Sequence, residues 1–137
     1  MDKHEQDDID RVNASYQRCL LIPDFIADFY QNFTAKGPHI VEKFKGTDMK
    51  RQIDTLKHGL QYIIMYSSGS KIAMTKVEDL GVTHDRNHRN ITPDLYEAWV
   101  TSLIETVRKH DPQYSDELAM SWRNVLSYGI QRMQNMY

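Results

Sequence analysis

The clearest helical signal in the chain is the segment ITPDLYEAWVTSLIETVRKHDP, residues 91–112. Thr92 is a typical residue for a helix N-cap, and Pro93 fits the first helical turn, where an N–H has no intrahelical partner to lose. Apolar side chains then recur every three or four residues as far as His110. This spacing predicts one long amphipathic helix. Its apolar face consists of Tyr96, Trp99, Val100, Leu103, Ile104 and Val107.

The same helical period occurs in most of the remaining chain. It follows the turn DPQYS near the C-terminus, and it recurs in residues 9–20, 23–33 and 49–64, with Pro23 placed in the first turn of the second of these stretches. Residues 71–90 are only weakly periodic. The alternation of apolar and polar residues that is typical of strands is absent from the sequence. We therefore predict one all-α domain of six or seven helices over residues 1–137.

Length, charge and composition argue against several classes of protein. A chain of 137 residues suits one hydrophobic core and has no room for a further domain that would be catalytic or bind a nucleotide. A formal charge of −2 without a basic cluster predicts no nucleic-acid partner. No apolar stretch reaches the roughly 20 residues of a membrane helix, and the acidic N-terminus is unlike a signal peptide. Because Cys19 cannot form an internal disulfide, we expect a cytoplasmic protein with this cysteine in its core.

Two histidines, His84 and His88, are four residues apart and could share one face of a helix. A closed zinc site needs four ligands, however, and the chain has one cysteine and no second histidine pair of this kind. Haem iron needs only one axial histidine, because the porphyrin supplies the equatorial ligands. The spacing alone also leaves open that both are ordinary surface histidines.

Two polar side chains stand out only when they are considered together. Tyr30 lies in a phenylalanine-rich helix, where a core aromatic with its hydroxyl at the boundary is the default interpretation. Gln52 follows Lys50 and Arg51 and, taken alone, is a solvated polar residue. Neither residue by itself indicates a binding site.

In their order and spacing, these segments resemble a bacterial single-domain globin, related to the globin domains of flavohaemoglobins and globin-coupled sensors. The resemblance covers nearly the whole chain, and no single fragment carries it. Its segments are SYQRC at 15–19, PDFIADFYQNF at 23–33, FKGTDMKRQ at 44–52, Leu80 four residues before His84, the run 91–112, and SWRNVLSYGIQRM at 121–133.

The resemblance implies a globin fold around haem b, with the iron held by His84 as the proximal ligand. It places Tyr30 and Gln52 on the distal side, where both donate hydrogen bonds to a bound diatomic gas. The side chains that contact the cofactor, or support it, would be Phe44 against the porphyrin, Leu56 over the ligand, Leu80, Ile91 and Tyr96.

His88 is the alternative to His84 as the iron ligand. In flavohaemoglobins the proximal histidine stands seven residues before the proline that matches Pro93, and here that position is Arg86. His84 is preferred because Leu80 precedes it by one helical turn. In addition, single-domain members resemble a longer pattern. It consists of His, then either Ser or Asp, then Arg, and further on Ile-x-Pro-x-x-Tyr. That pattern fits His84, Asp85, Arg86, Ile91, Pro93 and Tyr96.

The resemblance favours a globin that binds O₂ reversibly, along with NO and CO, as a monomer or homodimer. An NO dioxygenase or peroxidase-like enzyme with an external reductase is the first alternative. The flavohaemoglobin pattern has a glutamate late in the last helix that tunes the proximal histidine, but this chain has no acidic residue after Glu117. A haem-free all-α interaction or sensor domain is the second alternative.

Overall fold

The computed structural model describes residues 3–137, which form seven α-helices joined by short loops, with no strand among them. The all-α prediction is therefore confirmed, and the weakly periodic region contributes a helix that ends at residue 84. None of the helices in this part of the chain is long and apolar enough to cross a membrane. The helices are α1 (Lys3–Leu20), α2 (Phe25–Thr34), α3 (Pro38–Lys43), α4 (Met49–Met65), α5 (Lys71–His84), α6 (Pro93–His110) and α7 (Asp116–Asn135).

Three helix starts follow from side-chain capping bonds. The side chains of Asp48, Ser70 and Ser115 each accept a hydrogen bond from a main-chain N–H three residues later, at the starts of α4, α5 and α7. Thr92 occupies the N-cap of α6 as expected, but its hydroxyl donates to the Asp94 carboxylate and makes no capping bond. Pro93 takes the first turn of α6, which its missing N–H allows.

The start of α2 differs from the sequence prediction. The helix begins at Phe25, so Pro23 lies before it and not in its first turn. The main-chain N–H groups of Ile22 and Phe25 bond to the carbonyls of Cys19 and Ile22, over 3.0 and 3.1 Å. A run of tight turns therefore occupies the positions where the proline pattern alone predicted helix.

The core lies between the long helices. Helix α2 packs on α6, while α1, α4 and α5 all pack on α7. Cys19 is buried as predicted, and this burial, together with the nearby Asp111 charge, raises the pKa of the thiol to about 12. The largest fully buried side chains include Trp122, Tyr16 and Phe29, and the ring of Tyr16 meets Trp122 edge-on at 6.3 Å.

A buried carboxylate ties the first helix to the turn after α6. Asp111 is 3% exposed and accepts two hydrogen bonds from the Arg18 guanidinium, at 2.8 and 2.9 Å. The Ser15 hydroxyl donates to the same carboxylate over 2.6 Å and accepts from the Trp122 indole N–H at 3.0 Å. Each polar group of this network thus has a partner, as burial requires.

Candidate functional site

His84 is the last residue of α5, and its imidazole is held by the helix itself. Its Nδ1 lies 2.6 Å from the main-chain carbonyl of Leu80, one turn earlier, and 3.0 Å from the Thr83 hydroxyl. Because a carbonyl oxygen only accepts, Nδ1 carries the ring proton in this bond. Burial lowers the pKa of His84 from its usual value of 6.5. The hydrogen bond to Leu80 acts to raise the pKa, while the positive charge of Arg89 acts to lower it further. The imidazole is therefore neutral at pH 7.

The second ring nitrogen of His84 is available as a ligand. With the proton on Nδ1, Nε2 carries a lone pair, and within residues 3–137 no hydrogen bond to Nε2 is present. A neutral imidazole whose other nitrogen bonds to a carbonyl is the usual state of a metal-binding histidine. His84 thus has the chemistry of an axial iron ligand.

His88 has a different environment. It lies in the loop between α5 and α6, where its Nδ1 is 2.7 Å from the Asp85 carboxylate and its side chain is 55% exposed. Since α5 ends at His84, the two histidines do not share a helix face. The metal-sharing arrangement that their spacing allowed is absent.

The loop of residues 85–91 folds back on the end of α5. The N–H of Ile91 donates to the carbonyl of His84 over 2.9 Å, and the N–H of Asn90 donates to that of Asp85 over 2.8 Å. Asn90 has a φ of 53° and is the only non-glycine residue with a positive φ in the described part of the chain. The loop therefore leaves α5 after His84 and returns to it, since its last residue is hydrogen-bonded to the His84 carbonyl.

Tyr30 and Gln52 are brought together across α2 and α4. Tyr30 is buried, and its hydroxyl oxygen accepts a hydrogen bond from the Gln52 amide over 3.1 Å. Burial raises the pKa of the phenol to about 12, so it remains protonated. A hydroxyl that accepts from Gln52 still has its own proton to donate. The pair therefore offers one oriented O–H donor.

An aromatic cluster fixes the position of Tyr30. The Phe44 ring, just after α3, meets Tyr30 edge-on at 5.4 Å and Phe33 at 6.1 Å. The Phe29 ring contacts Tyr30 at 5.1 Å and Trp99 of α6 at 5.7 Å. Contacts from several sides restrict the phenol to one orientation.

The remaining predicted site residues fall into two groups. Leu56, Leu80 and Ile91 are half-buried side chains packed against the core, as is Phe44. Tyr96 is buried instead, with its pKa raised to about 12 by that burial, and borders a small cleft of about 180 Å³ between α6 and α7. No hydrogen bond joins Tyr96 to His84 in residues 3–137, so nothing links its hydroxyl to the imidazole.

An apolar cleft of about 500 Å³ lies on the outer side of the aromatic cluster, between α2, α3 and the start of α4. Tyr30 and Phe44 form part of its wall, and Ala27, Thr34 and Ile53 line it further out. His84 does not line this cleft. This cleft is therefore separate from the imidazole.

Sequence reasoning missed residues that shape the surroundings of His84. Thr83 contacts the imidazole, and Lys43, Asn90 and Tyr137 hold the loop of residues 85–91, as described below. Asn90 carried a usable signal, since asparagine is one of the few side chains that tolerate a left-handed backbone. Lys43 and Tyr137 gave none, because their contacts join distant parts of the chain.

Seven helices in this arrangement, with a neutral histidine ending α5, are typical of the globin class. The chain is similar to a protein from Pseudomonas aeruginosa PAO1 whose crystal structure is described as structurally highly homologous to a human hemoglobin. The two chains are 36% identical with a TM-score of 0.91, and the match covers 95% of this chain and 98% of that one.

The chain belongs to the same haemoglobin-like family, and its fold is the globin fold. No protein-family model matches the sequence, and no curated protein matches it. The closer likeness to flavohaemoglobins and globin-coupled sensors stays a prediction.

Proposed function

We propose that this protein binds haem b through His84 and reversibly binds O₂, with NO and CO as further ligands. The observation that carries the proposal is the hydrogen bond from His84 Nδ1 to the Leu80 carbonyl, which leaves Nε2 as an unprotonated nitrogen without a hydrogen-bond partner in the described residues. When bound, haem supplies an iron atom with a coordination position open to a diatomic gas. His84 would hold that iron through Nε2.

The apolar side chains of the site fit a flat hydrophobic group. Leu56 lies on α4 and Leu80 on α5, while Phe44 and Ile91 lie in the loops after α3 and before α6. Each of the four is half-buried against the core. Such side chains gain free energy when a further apolar surface covers them, at about 25 cal/mol per Å² of apolar surface removed from water. The resemblance assigns these four residues to contact with haem, and each of them has apolar surface still exposed that a cofactor could cover.

Tyr30 is the residue that would select among ligands. Its O–H is fixed by the aromatic cluster and by the bond from Gln52. A donor held in this way stabilises a ligand on which negative charge develops more than a neutral one. Among diatomic gases, this favours O₂ over CO.

An enzyme that uses an external reductase has less support than a reversible carrier. Both groups next to Nδ1 of His84, the Leu80 carbonyl and the Thr83 hydroxyl, are neutral. A carboxylate in that position would give the imidazole anionic character and favour O–O bond cleavage, which a carbonyl does to a smaller extent. The surroundings of His84 thus favour binding over turnover.

Absorption spectroscopy of the purified chain tests the proposal. We expect a Soret band after addition of haemin, a five-coordinate spectrum after reduction, and a reversible change with O₂ or CO. A chain that gives no Soret band after haemin is added contradicts the proposal and supports the haem-free interaction domain.

A further inference from the structure

Lys43 connects the end of α3 to the loop that follows the proximal histidine. Its ammonium donates to the main-chain carbonyls of Arg89 and Asn90 over 2.9 and 3.2 Å. Lys43 immediately precedes Phe44 of the aromatic cluster, while Asn90 immediately precedes Ile91. One side chain therefore joins the Tyr30 side of the site to the His84 side.

Tyr137, just after α7, holds the same loop from another direction. Its hydroxyl donates to the Asn90 side-chain oxygen, and its carbonyl accepts from the Arg86 guanidinium over 2.8 Å. The Arg86 guanidinium also lies 4.8 Å from the centre of the Tyr137 ring, within cation–π range. Two residues of the loop are thus bound to α7 through one tyrosine.

Asn90 is the residue on which these contacts converge. Its carbonyl accepts from Lys43, its side chain from Tyr137, and its N–H donates to Asp85 over 2.8 Å. A backbone φ of 53° is a left-handed conformation that costs most side chains free energy and that asparagine tolerates. The loop keeps this conformation because contacts from three elements support it.

These contacts extend to the imidazole through the main chain. Ile91, next to Asn90, donates its N–H to the carbonyl of His84 over 2.9 Å, and Arg89 donates to the carbonyl of Thr83 over 3.1 Å. Both bonds close the last turn of α5, which also contains the Thr83 hydroxyl next to Nδ1. A shift of the loop would therefore move the turn that orients His84.

We propose that Lys43, Asn90 and Tyr137 form a clasp that positions the imidazole of His84. The clasp is not part of the ligand set: its members are positioning residues that act through the loop of residues 85–91. This inference rests on the proposed function, because positioning matters only if His84 holds the iron. It adds that the orientation of His84 depends on α3 and α7 as well as on α5.

The test uses three variants of the full chain and two matched controls. Tyr137→Phe removes only the hydroxyl, Asn90→Gly removes its acceptor while tolerating the positive φ, and Lys43→Met removes the ammonium. Tyr128→Phe removes a hydroxyl elsewhere on α7, where it donates to Glu5, and Lys45→Met removes an exposed charge close to Lys43.

Hydrogen exchange at the amides of Asn90 and Ile91 measures the clasp directly. Tyr137→Phe and Asn90→Gly should speed exchange at positions 90 and 91 by about two- to tenfold, the range for loss of one hydrogen bond, and Lys43→Met, which loses two bonds, by at least as much. The middle of α5 should stay unchanged in each variant. Asn90→Gly and Tyr137→Phe remove the same bond, so the double variant should exchange little faster than either single one. Unchanged exchange in all three variants overturns the clasp.

The iron–histidine stretching band of the reduced, haem-loaded chain measures the positioning. We expect the three variants to shift or broaden this band and the two controls to match the wild type. If the wild type shows the band and all three variants show it unchanged, the positioning role is overturned but the proposed function is not. A wild-type chain without any such band overturns the proposed function and this inference together, while the exchange data still show whether the clasp exists.

Discussion

The Gln52 amide donates to the Tyr30 hydroxyl oxygen over 3.1 Å, so the two polar side chains of the site are bonded to each other. The family resemblance gave both residues the same role, as donors to a bound gas. The observed bond leads us to propose different roles, in which Gln52 orients Tyr30 and Tyr30 donates its own proton to the ligand.

The two residues should therefore contribute unequally to ligand retention. We expect Tyr30→Phe to raise the O₂ dissociation rate by about ten- to a hundredfold, since it removes the O–H that we propose donates to the ligand. Gln52→Leu should raise the rate by a smaller factor, because Tyr30 remains. Stopped-flow measurement of O₂ release gives both rates. A larger effect from Gln52→Leu contradicts this division of roles.

Iron ligation should depend on His84 and not on His88. We expect His84→Ala to lose haem or the spectrum of a nitrogen-ligated iron, since α5 contains no other histidine. His88→Ala should retain both, because the structure places that ring in an exposed loop bonded to Asp85. Spectra of the two variants after haemin addition make the comparison. The reverse result assigns the iron to His88.

The neutral acceptor at Nδ1 predicts weak electron donation to the iron. We expect the iron–histidine stretch of the reduced protein to lie nearer that of an oxygen-storage globin than that of a peroxidase, with slow peroxidase turnover. We also expect the O₂-loaded protein to react with NO once and not to cycle without a reductase. Resonance Raman spectroscopy measures the stretch. A strongly raised frequency would favour the enzyme over the carrier.

Stability should depend on the buried carboxylate of Asp111. We expect Asp111→Asn to lower the free energy of unfolding by about 1.5–3 kcal/mol, the range for a hydrogen bond to a charged group, because it breaks the charge-assisted bonds from Arg18. Asp54→Asn at an exposed position of α4 is the matched control and should change little. Urea unfolding at pH 7 compares the two.

The same variant should change the response to acid. Burial acts to raise the pKa of Asp111, but the bonds from Arg18 and Ser15 outweigh it and hold the pKa below the usual 3.8. A carboxyl whose pKa is lower in the folded than in the unfolded protein stabilises the fold at pH values above its unfolded-state pKa. This contribution is lost as the pH falls through its folded-state pKa. Unfolding free energies measured between about pH 6 and pH 2 should fall less steeply for Asp111→Asn than for wild type. Equal slopes would contradict the lowered pKa.

The regular parts of this fold could be predicted from the sequence, because their cause is local. Apolar residues three to four positions apart identified α1, α2, α4, α6 and α7, and the caps at Asp48 and Ser115 are short-range bonds. The start of α2 was missed, because the turns around Ile22 replace the expected helical bonds.

The residue identities of the candidate site come from the family resemblance and stay a prediction, and their contacts could not be predicted at all. The family pattern named His84, Tyr30 and Gln52. It could not show that Gln52 bonds to Tyr30, or that Lys43 and Tyr137 reach Asn90 from 47 positions away on either side in sequence. Contacts of this kind depend on how the helices pack, and no local pattern records them.

The half-buried apolar residues of the site also have a thermodynamic consequence. Covering Phe44, Leu56, Leu80 and Ile91 would release the water around them into bulk solvent, and water at an apolar surface has a higher heat capacity than bulk water. Association with a flat hydrophobic cofactor should therefore carry a negative heat-capacity change, so the binding enthalpy becomes more favourable as the temperature rises. The protein would hold its cofactor through a temperature-dependent solvent effect as well as through one coordinate bond.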